Sequence, residues 1–385
     1  MKAKKFLMIP GPSPVARSIQ DQMGRETIAF GDPDFVHDFK ALLADLRGLW
    51  KTDGELFVVA GSGTLAMEMA IANSTKRGDR VLVVSHGYFG DRFAEICMRK
   101  GLEVDLLASE WGKAVPLGEM DAAVRKEKYQ AITVTHVDTS TGVVAPLADI
   151  GRLMRGYPET ILIADGVCAT AAEPEQVDEM GIDVLFTGSQ KAFGVSPGLM
   201  MLWAGPKAMA RRKDLGVIPE YYCDFDKWVP IMHDPSKYFA TPAVNLVWAL
   251  KESVQIIMQE GLEPRYARHA RFANAVRTGL ETLGFGILAE PKARASTLSG
   301  VLYPAGLDDA KFRSFLAEEG VQVAGGLGAY AGKMFRLGHM GNIDQHDLVS
   351  VLAAIERTLL RCGQKIKLGT GVSALMESLA KHASA

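Results

Sequence analysis

The chain alternates between short apolar runs and longer segments whose apolar residues fall at helical spacing. LFVVAGSG (56–63) reads as a strand running into a glycine turn, and TLAMEMAIANST (64–75) as the helix after it. DRVLVVS (79–85) and GDRFAEICMRKG (90–101) repeat the pair. VDLLA (104–108), QAITVTHVD (130–138), TILIADG (160–166) and DVLFTGS (183–189) are further strand candidates. Helical patterns such as PLADIGRLMRG (146–156) lie between several of them. Apolar strands alternating with helices predict an α/β layer around a mostly parallel sheet. After about residue 245 the texture changes. Residues 247–284 predict one long helix or two consecutive ones, with Gly261 and Pro264 marking a break. TLSGVLYP (297–304), AKFRSFLAEEG (310–320), VQVAGG (321–326), KMFRLGHMG (333–341) and DQHDLVSVLAAIERTLL (344–360) then read as a smaller α+β unit. The expected organisation is an arm over 1–15, a large domain over 16–262 and a small domain over 263–385. The tail after Leu360 ends in one more amphipathic helical pattern.

Composition narrows the function classes. With 385 residues, 48% of them hydrophobic, there is enough material for two cores. Lys and Arg number 43 against 45 Asp and Glu, so no basic excess points to nucleic acid. Cys97, Cys168, Cys223 and Cys362 are scattered without a CxxC pair. That spacing argues against a disulfide framework or a structural zinc and fits a reducing compartment. No apolar run reaches membrane-spanning length. The start, MKAKKFLMIPGPSP, lacks a signal-peptide apolar region, and the final HASA matches no targeting signal. The expectation is a cytoplasmic protein bound to neither membrane nor nucleic acid.

Open parallel sheets bind ligands at the carboxyl ends of their strands, and four clusters fall there. In AGSGTLA (60–66), small residues let backbone approach an anion, and the next helix offers free N–H groups. A tight turn explains the same glycines. HVDTSTGVVAP (136–146) gathers hydroxyls after a strand, and an N-cap with its turn explains those equally. Asp165 in LIADGVCA (162–169) ends a buried strand, where a carboxylate needs a partner; a cap or core salt bridge is the alternative. Lys191 in LFTGSQKAFG (185–194) follows another buried strand, between Ser189–Gln190 and Ala192. A desolvated lysine becomes a nucleophile toward aldehydes, whereas an ordinary lysine snorkels to the surface. Together the turn, the carboxylate and the lysine are what pyridoxal 5′-phosphate requires: a phosphate cradle, a partner for the ring nitrogen and a Schiff-base amine.

The sequence also resembles the class V aminotransferases of fold type I, the group containing alanine–glyoxylate and serine–glyoxylate (serine–pyruvate) aminotransferases. The resemblance runs from MIPGPSPV (8–15) through GSGT, STG (140–142), the aspartate strand and GSQK to MFRLG (334–338). It implies a large domain with a mostly parallel seven-stranded sheet, a smaller α+β C-terminal domain and pyridoxal 5′-phosphate as cofactor. It further implies that Lys191 holds the cofactor aldehyde and then moves a proton on the substrate, while Asp165 pairs with the pyridine nitrogen. Ser62, Gly63, Thr64 and Gln190 would hold the phosphate. Phe89 and Val167 would flank the ring, and Ser140 would lie near its phenolic oxygen. Arg336 would grip the substrate carboxylate, where a bidentate guanidinium suits a planar anion, with Gly11 and Ser140 beside it. Tyr238 and Thr241 in KYFATPAVN (237–245) would reach the phosphate of a neighbouring subunit, giving a homodimer with shared active sites.

Relatives commonly carry a His-Arg pair where this chain has Phe30 and Gly31, which leaves substrate choice open. His339 has no role in the motif beyond packing or surface. The expected activity is transfer of an amino group from serine or alanine to glyoxylate or pyruvate by a ping-pong cycle. Alternatives are a lyase of the same superfamily, such as a cysteine desulfurase or a kynureninase-like enzyme, and a non-catalytic ligand-binding relative. No cysteine lies in 321–336, where a desulfurase would need one, and Lys191 and Asp165 are both present. A nicotinamide dehydrogenase is disfavoured because GSGT lacks the three-glycine fingerprint and no acid ends DRVLVVSHG.

Overall fold

The computed structural model describes residues 5–381. The basic first residues and the HASA ending lie outside them. Seven strands form the large sheet: β1 (Glu55–Gly61), β2 (Arg80–Ser85), β3 (Glu103–Ala108), β4 (Ala131–Thr135), β5 (Ile161–Asp165), β6 (Val184–Gly188) and β7 (Gly198–Ala204). Their spatial order is β1-β7-β6-β5-β4-β2-β3. Every pairing is parallel except those of β7, which runs antiparallel between β1 and β6. The strands β4, β5 and β6 are buried at every position. That explains their unbroken apolar runs, because helices cover both faces of a parallel sheet. Each fully buried Val, Leu or Ile there contributes roughly 1.5–3 kcal/mol. The hydrophobic pattern predicts six of these strands. It does not predict β7, GLMMLWA, which lacks β-branched residues entirely.

Helix α1 (Gly63–Ser74) leaves β1 directly, and α2 (Tyr88–Arg99) follows β2. The long helical region resolves into α3 (Val244–Glu260) and α4 (Leu262–Thr282). Gly261, with φ of 80°, separates them, and Pro264 falls in the first turn of α4, where its missing N–H costs nothing. A second sheet, β8 (Gly286–Ile287), β9 (Leu298–Leu302), β10 (Ala324–Gly325) and β11 (Met334–Gly338), is antiparallel in the order β8-β9-β11-β10. It packs with α4, α5 (Gln345–Arg361) and α6 (Thr370–Lys381) around its own core, which includes Phe312, Phe335, Leu352 and Leu375. The tail helix α6 therefore packs on the small sheet's core. Gly279 and Gly371 let α4 and α6 approach closely, since an added Cβ on Gly279 would lie 2.9 Å from the Gly371 carbonyl. Buried Glu356 accepts the amides of Gly369, Gly371 and Val372 and so fixes the start of α6. His339 is buried, sharing hydrogen bonds with Ser299 Oγ and the Ser296 carbonyl, both at 3.0 Å.

An N-terminal arm ties the two units together. Phe6–Leu7 pairs in parallel with Val321–Gln322 of the small unit. The Gly338 amide donates to Met8 O. A few residues on, the Ser13 amide donates to Gln190 O, and Ser13 Oγ donates to Lys191 O at 2.5 Å.

Candidate active site

The ends of β1, β5 and β6 and the segment after β4 converge on one cavity. It is lined by Ser62, Gly63, Thr64, Met67, Phe89, Arg92, Val137, Thr139, Asp165, Val167, Cys168, Gln190 and Lys191. Eight of the expected cofactor residues are thus brought together: Ser62, Gly63, Thr64, Phe89, Asp165, Val167, Gln190 and Lys191. Gly11 and Arg336 flank the cavity. Ser140, Tyr238 and Thr241 do not line it.

Lys191 sits just past β6 and is buried. Its ammonium donates to Pro10 O. Burial pulls the amine below its usual range, and the positive charge of Arg336 pulls the same way. Gly11 makes room for this side chain. With φ of 104° and a would-be Cβ only 2.5 Å from Lys191 Cδ, the position admits nothing larger without displacing the lysine.

Asp165 is the last residue of β5, in register with Thr135 at the end of β4. Burial pushes its carboxyl up to about 7. The Val167 amide, 2.9 Å from Oδ1, pulls it back, the charges of Asp138 and Glu175 push it further up, and Lys191 opposes them. Among the described residues no ion pair reaches Asp165. A buried carboxylate in that state favours a cationic or N–H partner.

At the other end of the cavity, α1 begins without a side-chain cap. Its first amides keep free donors, which suit an anion. Gln190 Oε1 is buried and unpartnered. Gly63 is again a close approach, since a Cβ there would lie 2.7 Å from Val167 Cγ2. Bare amides, a Gln190 side-chain amide whose oxygen has no partner to hold it and whose NH2 can turn toward an anion, a carboxyl raised by burial and a desolvated lysine fit the groups of pyridoxal 5′-phosphate.

Ser140 serves the wall rather than the lining. Its hydroxyl donates to Asp138 Oδ1 at 2.6 Å and accepts the Tyr88 amide at 3.0 Å. The other Asp138 oxygen accepts the Phe89 and Gly90 amides. Buried Asp138 therefore holds the turn that presents Phe89, and its neighbour Thr139 faces the cavity. Sequence reasoning missed Asp138 as this anchor. It also missed Thr139 and Cys168, which lie in two of the strand-end clusters without being singled out, and Arg92, which lies outside them. A helical i, i+3 step from Phe89 would have placed Arg92 on the same face.

Arg336 lies on β11, partly buried between the two units. Its Nε donates to Gly325 O at 2.9 Å and Nη1 to Thr139 O at 3.3 Å. Among the described residues no carboxylate pairs with it. Burial lowers its pKa, which still leaves a guanidinium charged. Tyr238 is 64% exposed, and its ring lies 5.3 Å from that of Phe30, so the residue at the variant entrance position touches the segment carrying Thr241. Both Tyr238 and Thr241 are exposed and lie outside the lining of the chain's own cavity.

Comparison with known proteins gives a consistent picture. The family model described as aminotransferase class V matches residues 38–343. An uncharacterised aminotransferase of Methanocaldococcus jannaschii is 35% identical over 381 residues, covering 98% of each chain. A serine–glyoxylate aminotransferase of Hyphomicrobium methylovorum is 31% identical, covering 100% of this chain and 96% of its own. The crystal structure of a ureidoglycine–glyoxylate aminotransferase from Bacillus subtilis superposes with a TM-score of 0.93 at 26% identity, covering 99% of both chains. Among the described residues no helix is long and apolar enough to cross a membrane.

Proposed function

Because this chain belongs to the class V aminotransferase family, we propose that it binds pyridoxal 5′-phosphate in this cavity and transfers an amino group from serine or alanine to glyoxylate or pyruvate in a ping-pong cycle. The observation that carries the reading is Arg336, a partly buried guanidinium beside Lys191 with no carboxylate of its own. A desolvated, unpaired cation at the edge of a cavity is set for a carboxylate that arrives with substrate. The relatives named above support a small acceptor, since two of them carry glyoxylate in their names.

Bound cofactor would supply an electron sink for the substrate carbon. The chain supplies the rest. Lys191 Nζ, whose burial favours the neutral amine, is the nucleophile that would hold the aldehyde and the base for the substrate Cα proton. Asp165 keeps a proton on the ring nitrogen. The amides at the start of α1 and the Gln190 side chain take the phosphate, while Phe89 and Val167 close on the two faces of a planar ring. Tyr238 and Thr241 reach the cavity of a second copy, which makes the functional unit a homodimer. The four unpaired cysteines suit the cytoplasm.

The test is a visible absorption spectrum of the purified protein with L-serine or L-alanine, followed by glyoxylate or pyruvate. The expected result is a yellow band that bleaches with the amino acid and returns with the 2-oxo acid. Absence of a band even with added cofactor would sink the reading, and sulfide release from cysteine with an unbleached band would replace it with a lyase.

A further inference from the structure

Lys191 and Arg92 line the cavity and Arg336 flanks it, and the proposed chemistry uses two of these three basic side chains. Lys191 takes the aldehyde and Arg336 the substrate carboxylate. Arg92 has no assignment. It projects from α2 into the same cavity that Ser62, Gly63 and Thr64 line. Its Nη1 lies 3.5 Å from Thr64 Oγ1, at the outer limit of a hydrogen bond. Its guanidinium carbon sits 4.9 Å from the Phe89 ring centre and 5.2 Å from that of Tyr88. Among the described residues no carboxylate pairs with it. The adjacent Asp91 is used elsewhere, accepting from Ser85 Oγ at 2.7 Å.

A charge balance makes this arrangement informative. The start of α1 offers amides and the partial positive charge of the helix end, worth about half a unit charge. Gln190, Ser62 and Thr64 are neutral. A phosphate dianion placed there would be left largely uncompensated by everything but Arg92. The two aromatic rings, set edge to face at 81°, both lie within cation–π range of the guanidinium and restrict it, which lowers the entropy lost on binding an anion.

We propose that Arg92 is the counter-ion of the anion bound at the start of α1, which under the reading above is the cofactor phosphate. The same side chain then does two jobs, because its rings include Phe89, the residue that faces the cofactor ring. Filling the phosphate position therefore tightens the wall against which the ring lies.

The competing explanation is that Arg92 merely packs on Tyr88 and Phe89. The two are separated by comparing pyridoxal 5′-phosphate with pyridoxal, which lacks the phosphate. Apo-protein is titrated with each, reading the visible band of the lysine-bound aldehyde, for the native chain, Arg92→Gln and Arg92→Lys. The expected result is that Arg92→Gln weakens the phosphorylated aldehyde by about 10- to 100-fold, as for a lost charge-assisted bond. Pyridoxal affinity should change less than about twofold, and Arg92→Lys should recover part of the loss. Equal losses for both aldehydes, or no loss for either, overturn the proposal. Were the native chain to bind neither aldehyde, the cofactor reading would fail. Calorimetry with inorganic phosphate would then still decide on Arg92, since a loss of phosphate binding in Arg92→Gln upholds the counter-ion and unchanged binding removes it.

Discussion

Lys191 and Arg336 are two buried or partly buried cations near one cavity, and the structure treats them in opposite ways. Lys191 comes from the end of a parallel strand whose neighbours are apolar, and among the described residues the hydrogen-bond partner of its ammonium is a backbone oxygen, that of Pro10. Arg336 comes from an antiparallel strand of the small sheet and spans the gap between units, with one bond to each: Gly325 O and Thr139 O. The same desolvation acts on both. An amine can answer it by losing its proton, whereas a guanidinium cannot. Burial thus favours a neutral amine at one position and leaves a charge without a carboxylate at the other. The headgroup, together with the deeper burial of Lys191, separates the two.

Exchanging the headgroups is the most severe way to break that contrast. Lys191→Arg keeps the charge and forfeits the nucleophile. Turnover in single half-reactions should fall by at least about 10⁴-fold, the upper range for a lost acid–base group alone. Residual activity within tenfold of the native chain would show that Lys191 does not do the chemistry. A smaller effect is expected at the other cation. Arg336→Ala should lower kcat/KM for L-serine by about 30- to 1,000-fold, corresponding to roughly 2–4 kcal/mol for a lost buried charge partner. An amine without a carboxylate should react equally well with both proteins. If that amine suffers the same loss, Arg336 supports the fold rather than the substrate.

The smallest effect concerns the anion of the set. The Asp165 carboxyl is raised to about 7 in the folded apo-protein, against an ordinary value of 3.8. The folded state then holds its proton more tightly than the unfolded one. Its contribution to stability falls as pH rises from about 4 to about 7 and stays low above that. Asp165→Asn removes this penalty. The apo-variant should be more stable than the native chain at pH 8, by on the order of 2 kcal/mol, with the gap closing toward pH 4. Thermal melts across that range decide it, and a gap independent of pH would refute the raised carboxyl.

What was legible in the sequence follows from the same contrast. Strand ends are marked by where apolar runs stop, so Asp165, Lys191 and the turn at Ser62–Thr64 could be placed on a common rim before any coordinates. β7 was not legible, because GLMMLWA has no β-branched residue and its Leu and Met suit a helix equally well, and an antiparallel insertion breaks the βα rhythm. Within the cavity, residues supplied by side-chain direction rather than chain position escaped notice. Ser140 and Thr139 are neighbours with nearly equal chemistry, yet one ties down the Tyr88 amide and the other faces the ligand space. Nothing in the one-dimensional pattern separates them. The tail after Leu360 showed a helix but not its seat, which depends on Gly279 meeting Gly371 across two elements far apart in sequence.

The arm has a bearing on biosynthesis. Phe6 and Leu7 are synthesised well before their partners, Val321 and Gln322, and Met8 likewise waits for Gly338. The oxygen that receives the Lys191 ammonium belongs to Pro10 on that same arm. A nascent chain can complete its large sheet with β7 before those partners are made, yet the arm beside Lys191 is pinned on its small-unit side only once β11 has emerged. A chain stalled after the large sheet would therefore carry the arm without the pairing that holds it in place.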